Sequence, residues 1–169
     1  ILMKRFLLCY VLAFGALFSS KAMEPISSLE RSMVDTSLIP FYHGVASGDP
    51  LPDKVIIWTR VTPDVDGAVN GTWRVALDTN FTSIVQSGTF TADSSRDYCV
   101  KIDVSGLQPN TWYFYNFTAL GRNSQTGRTK TAPVGGVDQL RFAFTSCSHY
   151  PNGYFNAYSR IRDRNDIDA

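Results

Sequence analysis

The chain has 169 residues, with 16 basic and 15 acidic side chains, a formal net charge of +1 and 44% hydrophobic residues. The charges are nearly balanced and Lys and Arg are not clustered, which argues against a nucleic-acid-binding surface.

The amino-terminal residues predict a secretory signal peptide over residues 3–22. A basic head, Lys4-Arg5, is followed by the apolar run 6–18 of 13 residues. Ser20-Lys21-Ala22 then places small residues at the −3 and −1 positions of a cleavage site. The alternative, a membrane anchor, needs about 20 apolar residues, more than this run supplies.

This signal implies export. Ile and Leu precede Met3, which suggests a translation begun upstream of the natural start. Cleavage after Ala22 would leave 13 basic residues against 15 acidic ones, with residues 23–40 as a leader segment. We expect an extracytoplasmic protein, whether periplasmic, on the cell surface or secreted, which meets the membrane only transiently through its signal peptide.

Residues 41–133 predict a mainly β domain. Short runs rich in Val, Ile, Thr and aromatic residues alternate with turn signals such as Gly48-Asp49-Pro50, where Asp49 is interpreted as a turn former that bonds its own backbone. The runs are 41–47, 54–61, 72–78, 84–90, 98–104, 112–119 and 126–131. Their number and spacing favour a seven-stranded immunoglobulin/fibronectin III-like β-sandwich.

Aromatic residues give this domain two further features. Tyr113 follows Leu107-x-Pro109-x-Thr111, the position from which a tyrosine corner sends its hydroxyl back to an upstream backbone group. Trp58 and Trp73 lie in predicted strands and are interpreted as core residues rather than ligand-stacking ones.

Two of the three cysteines remain after export. Cys9 leaves with the signal peptide, while Cys99 and Cys147 enter a compartment that favours disulfides. Alternation in strand 98–104 places Cys99 on the polar face with Lys101 and Asp103. A Cys99–Cys147 bridge is an alternative that requires Cα atoms within about 7 Å of each other.

The pattern changes after a linker at residues 134–138. The apolar run 140–145 predicts a buried strand, and residues 153–164 show helical spacing, so residues 139–169 predict the start of an α/β domain. Cys147 follows the strand on the turn toward the helix, where open α/β sheets place ligand and catalytic groups. The chain stops 22 residues later, so we expect the front of a longer enzyme.

Five ordered blocks carry a resemblance to a known family. They are Phe41-x-His43-Gly44-Val45-Ala46-Ser47-Gly48-Asp49-Pro50, Ile57-Trp58-Thr59-Arg60, Gly106-Leu107-x-Pro109-x-Thr111-x-Tyr113-x-Tyr115, Gly127-Arg128-Thr129-x-Thr131-Ala132-Pro133, and Ser146-Cys147 with Gly153-Tyr154-Phe155. At these intervals they resemble the alkaline phosphatase D (PhoD-like) family over about residues 41–169.

The resemblance implies an immunoglobulin-like domain in front of a metallophosphoesterase domain that hydrolyses phosphate monoesters and diesters outside the cytoplasm. It also implies a dinuclear site of iron (Fe³⁺) and calcium in which Cys147 is an iron ligand. The family takes its other ligands from a Gly-Asp block on the next strand and from later loops, none of which precede Ala169. A thiolate suits this role because soft anionic sulfur binds Fe(III) strongly and must bind in its proton-free form.

The remaining candidates for the site are polar side chains near Cys147. His149 could act near a phosphate or beside a metal ligand, and a polar loop residue is the alternative. Asp163, Asp166 and Asp168 are interpreted as solvated charges rather than a carboxylate cluster.

Two other functional classes fit parts of the pattern. A secreted, non-catalytic fibronectin III-like binding module would follow if translation ended at Ala169. A purple acid phosphatase-like enzyme would also have a β-sandwich in front, but its first metal ligand would normally be Asp rather than Cys147.

Overall fold

The computed structural model describes residues 35–146 and 156–168. The predicted signal peptide, Cys147 and His149 lie outside these ranges. No helix formed by the described residues has the length and apolar character needed to cross a membrane.

Antiparallel strands form two sheets. One sheet has the order β1-β2-β5; the other has the order β4-β3-β6-β7, with β8 also paired to β6. The strands are β1 Val45–Gly48, β2 Lys54–Arg60, β3 Val69–Ala76, β4 Ile84–Ala92, β5 Cys99–Ser105, β6 Trp112–Ala119, β7 Arg122–Asn123 and β8 Gly127–Lys130. Short 3₁₀ turns lie at Thr36–Leu38 and Ser94–Arg96. The seven predicted strands are all present, β7 is a two-residue addition, and the mainly β sandwich of immunoglobulin/fibronectin III type is confirmed.

Period-two alternation decides which side chains enter the core. In β2, Val55, Ile57 and Thr59 are buried, whereas the alternate positions are half-buried on the outer face. Trp58 occupies one of these outer positions, so its predicted place in the core is wrong. The other indole is as predicted, because Trp73 packs against the buried cluster.

Aromatic rings from β6 fill the space between the sheets. The Phe117 ring meets those of Phe90 and Tyr115 edge-on, with centroid separations of 6.0 and 6.3 Å, an arrangement that the ring quadrupoles favour. Burial raises the pKa of Tyr115 to about 12. Its ring lies against Gly127 of β8, where an added Cβ would overlap it. Glycine is therefore required at this point of closest approach.

The predicted tyrosine corner is present. The Tyr113 ring is 2% exposed, and its hydroxyl accepts a 2.8 Å hydrogen bond from the Gln108 backbone N–H. The Thr131 hydroxyl donates to the Gln108 carbonyl at 2.6 Å and accepts from the Thr111 N–H at 3.0 Å. These bonds tie the turn before β6 to the end of β8, so the corner fixes both strands.

The carboxyl-terminal residues depart from prediction. Helix α1 spans Asn156–Arg162, inside the predicted range, but the expected strand at 140–145 is not formed. Leu140, Phe142 and Phe144 are 46, 55 and 89% exposed. An apolar run becomes a strand only where a neighbour satisfies its backbone groups. Asp168 is the only described residue that bonds to the backbone of this run, and it does so at Arg141 alone.

Removing the corner hydroxyl tests its contribution to stability. Tyr113→Phe keeps the ring but leaves the Gln108 N–H without its acceptor, so we expect the free energy of unfolding to fall by about 1–3 kcal/mol. Denaturant titration of the chain measures this change. Tyr98→Phe is the matched control, because its hydroxyl accepts only a 3.3 Å bond from the Gly67 N–H. Equal midpoints for the Tyr113→Phe variant and the parent would contradict a structural role for the corner.

Candidate functional site: the platform beside strand β8

The predicted site residues Cys147 and His149 lie outside the described ranges. Within those ranges, no group of three or more His, Cys, Asp or Glu side chains could hold a metal ion. The structure does describe residues on either side of Cys147. Arg141, before it, bonds to Asp168, after it, and the segment after it bonds to the sandwich. The candidate site is the sandwich surface that receives them.

Strand β8 presents two cations to this surface. Gly127 and Thr129 are buried, so Arg128 and Lys130 point outward from the sheet. Lys130 pairs with Trp112 across the β6–β8 ladder. The indole lies beneath both cations, with the Arg128 Cζ 4.7 Å and the Lys130 Nζ 5.6 Å from its centroid, within the range of cation–π attraction. We call Trp112, Arg128 and Lys130 the β8 platform.

Arg128 caps the end of helix α1. Its Nη1 donates to the Asn165 Oδ1 at 2.6 Å, and its Nη2 donates to the carbonyl oxygens of Arg164 at 2.6 Å and Arg162 at 3.5 Å. Carbonyls at a helix carboxyl end have no partner within the helix and favour a nearby cation. A strand residue thus holds the chain at and just beyond the end of a helix that lies more than 30 positions further along the chain.

Lys130 holds the chain just beyond the helix. Its Nζ lies 2.7 Å from the Asp168 Oδ1, and the two side chains are only 18 and 24% exposed. The other Asp168 oxygen accepts from the Arg141 N–H at 3.0 Å, and the Asp168 N–H donates to the Arg141 carbonyl at 2.8 Å. The hydrogen bond from the Lys130 ammonium makes the largest contribution to lowering the pKa of Asp168, and the bond from the Arg141 N–H makes the next largest.

Asp168 was predicted to be a solvated charge, and this prediction is wrong, because the ion pair with Lys130 shields it. Asp163 and Asp166 are exposed as predicted, paired with Arg162 and Arg164, which lie one and two residues earlier. The Arg164 guanidinium lowers the pKa of Asp166 to about 2. Each of the three carboxylates therefore neutralises a cation, and they do not form a cluster.

A cavity of about 300 Å³ lies beside the platform. Ser47, Gly48 and Pro50 line it from the end of β1, and Ile161 and Ile167 line it from the carboxyl-terminal segment. The two platform cations in its wall are already paired with carbonyl, amide and carboxylate oxygens. The arrangement is thus suited to hold a chain segment rather than to bind a free anion.

Other residues from the sequence motifs lie at the end of β2. The exposed His43 places its Nε2 3.0 Å from the Arg60 Nη1, and Arg60 binds both Asp97 oxygens at 2.7 and 3.0 Å. Arg60 lowers the pKa of Asp97. Cys99 is a half-buried free thiol paired with Arg60 across the ladder, on the polar face as predicted. Among the described residues, Arg60 thus joins His43 and Asp97 at this end of the sheet.

Asp49 adopts a left-handed backbone with a φ of +48°. Asp tolerates this conformation better than most residues, which agrees with its interpretation as a turn former.

Sequence reasoning did not identify the platform. In the sequence, Arg128 is the middle residue of the Gly127-Arg128-Thr129 block, and nothing in that block indicates its bonding partners. The available signal was the alternation of small and cationic residues in β8, facing a strand that begins with Trp112. The acceptors are backbone carbonyls and a distant carboxylate, which carry no sequence signal.

Comparison with known proteins places these features in context. Residues 28–133 match the family model described as the PhoD-like phosphatase N-terminal domain. The chain is 44% identical over 134 residues to alkaline phosphatase D of Bacillus subtilis (strain 168), covering 74% of the chain and 23% of that protein. A solved structure described as the structure of PhoD matches with a TM-score of 0.71 and 40% identity, over 79% of this chain and 27% of that one. The chain spans about a quarter of the length of the relatives it matches.

The lowered pKa of Asp168 predicts acid-sensitive docking on the platform. A carboxylate whose folded pKa is depressed stabilises the folded state above its unfolded pKa, about 3.9 for Asp, and this contribution is lost as the pH falls through the folded value. We expect acrylamide quenching of Trp112 to increase below about pH 4. Subtracting the emission of Trp112→Phe isolates this indole from the other two.

Asp168→Asn is the matched control because it removes the titrating group. Its Trp112 should already be more accessible at pH 6 and should show a smaller change in acid. An identical acid transition in both proteins would mean that another group controls the docking.

Proposed function

The chain belongs to the PhoD-like phosphatase family, and from this membership we propose that it is the amino-terminal part of an exported metal-dependent phosphatase. Alkaline phosphatase activity toward phosphate esters, monoesters or diesters, is assigned to the longer protein. The observation that carries the proposal is the 44% identity over 134 residues to alkaline phosphatase D. The substrate is recognised by the catalytic domain and not by the sandwich.

The exposed apolar side chains support this reading over a free-standing binding module. Leu140, Phe142 and Phe144 stand out from a five-residue stretch directly after the linker, and the Phe142 and Phe144 rings stack with centroids 6.5 Å apart. Apolar faces of this kind need a covering layer of secondary structure. In the proposed enzyme the catalytic domain supplies it.

Cys147 follows this stretch and is proposed as an iron ligand. One thiolate has the donor chemistry that ferric iron prefers, and metal binding keeps the sulfur deprotonated. The described residues contain no group of three potential ligands, so the remaining ligands are assigned to other parts of the protein. When bound, iron and calcium would supply Lewis acidity to the phosphoryl oxygens.

The chain's own residues have separate tasks in this proposal. Cys147 supplies its thiolate to the iron. His149, two residues later, is a further candidate for a hydrogen bond to the ester, because neutral imidazole can donate or accept. The sandwich supplies the rigid support, and the signal peptide at residues 3–22 directs the enzyme out of the cytoplasm.

Substitution of the proposed ligand tests the metal assignment. In the full-length protein, Cys147→Ser replaces a thiolate with a hydroxyl that stays largely protonated, so we expect bound iron and p-nitrophenyl phosphate hydrolysis each to fall by about tenfold or more. Cys99→Ser is the matched control, and both values should stay near those of the parent. Elemental analysis and steady-state kinetics measure them.

Retention of iron by Cys147→Ser would remove the ligand role. A Cys99–Cys147 disulfide found by mass spectrometry in active enzyme would have the same consequence. Absence of phosphatase activity from the full-length protein with iron and calcium supplied would overturn the proposed function itself.

A second prediction concerns the 169 residues alone. They carry one proposed metal ligand and uncovered apolar side chains, so we expect no metal-dependent hydrolysis of p-nitrophenyl phosphate and concentration-dependent aggregation. Repurified protein is assayed with added iron and calcium, with light scattering as the measure of association. Turnover that survives repurification and scales with protein concentration would show that this part of the chain is sufficient.

A further inference from the structure

Two outward side chains of the sandwich bond to the chain after Cys147, and one of their partners, Asp168, bonds to Arg141 before it. We propose that Arg128 and Lys130 are positioning residues that fix these flanking segments on the sandwich, and so set the place of Cys147. The connection to metal binding rests on the proposed function above. The fixing of the segments rests on the contacts alone.

The first contact is the cap on α1. The guanidinium of Arg128 reaches three acceptors at once, the Asn165 amide oxygen and the carbonyls of Arg164 and Arg162. Its plane lies over Trp112, which limits the rotation of the fork. A lysine would present one compact ammonium and could not reproduce this spread of donors. The cap therefore depends on arginine and not on positive charge alone.

The second contact closes the chain on itself. Asp168 bonds to both backbone groups of Arg141 and at the same time to the Lys130 ammonium. Arg141 lies six residues before Cys147, and α1 begins nine residues after it. Asp168 thus ties the chain before Cys147 to the chain after α1, and Lys130 holds Asp168 on the sandwich.

Partial burial strengthens this attachment. The Lys130 and Asp168 side chains are the least exposed pair among the ion pairs of the described residues. Ile161 and Ile167 line the cavity beside the ion pair. Electrostatic attraction grows as the surroundings become less polar.

A metal site requires that the segments carrying its ligands are held in fixed positions by the rest of the protein. A ligand has to be held within about 0.5 Å of its productive position by residues that are themselves fixed. Both platform cations emerge from β8, whose paired strand β6 is anchored by the Tyr113 corner. The rigid sandwich therefore holds the chain after α1 directly and Arg141 through Asp168.

Hydrogen exchange tests the attachment directly. In the 169-residue chain, Arg128→Ala should speed amide exchange in residues 156–168 by about tenfold, while amides of β3 and β6 keep their protection. Arg128→Lys should resemble Arg128→Ala. Lys130→Met, which keeps length without charge, should speed exchange at Arg141 and Asp168.

Arg122→Ala is the matched control, since Arg122 is an exposed cation of β7 outside the platform. Its exchange pattern should equal that of the parent. Unchanged exchange of residues 156–168 in Arg128→Ala would overturn the proposal.

The consequence for the metal site is measured in the full-length protein. Arg128→Ala should release iron severalfold faster and lower kcat, with little change in KM for p-nitrophenyl phosphate. Faster exchange together with unchanged iron release and kcat would show that the platform fixes the segment without positioning the site, which also overturns the proposal. If the parent protein itself lacks phosphatase activity, the proposed function fails, whereas the exchange measurements still decide whether the platform holds the segment.

Discussion

The pairing of β8 with β6 is the constraint on which the rest of the structure depends. It sets Gly127 against the Tyr115 ring and places Thr129 in the core. Arg128 and Lys130, at the alternate positions of β8, therefore face outward beside Trp112. A slip of one residue would exchange the faces, burying the cations and exposing the small residues. The register therefore specifies the core and the platform together. The bonds from Thr131 to the turn before β6 hold it at its end.

The two cations of the platform stabilise the structure because of where they are placed, and not only because they are charged. Arg128 and Lys130 are shared between an aromatic face and oxygens that would otherwise lack partners, so each cation meets several requirements at once. By contrast, Asp163 and Asp166 pair with arginines one and two residues away in sequence and are solvated. Exposed pairs of that kind add little stability and are screened by salt. The partly buried contacts of the platform are the ones that join distant parts of the chain.

Local patterns predicted much of this fold and little of its long-range bonding. Alternation gave the strands and the polar face of Cys99, and the Leu-x-Pro-x-Thr-x-Tyr spacing gave the corner, because both depend on neighbours in sequence. The strand at 140–145 failed since pairing needs an adjacent edge, which hydrophobicity does not supply. Trp58 was misplaced because its residue type favours burial, whereas it lies between the buried Ile57 and Thr59 in β2 and so faces outward. Asp168 was misjudged because its partner lies 38 residues earlier.

The order of these elements along the chain has a consequence for biosynthesis. Every ladder of the two sheets lies between Val45 and Lys130, and the corner closes by Thr131. Domains generally fold as units, beginning at the amino terminus while synthesis continues. The sandwich can thus be complete, with its cations already seated on Trp112, before residue 156 emerges from the ribosome. Helix α1 then meets a finished surface, and the segment that ends at Asp168 docks on cations that are already in position.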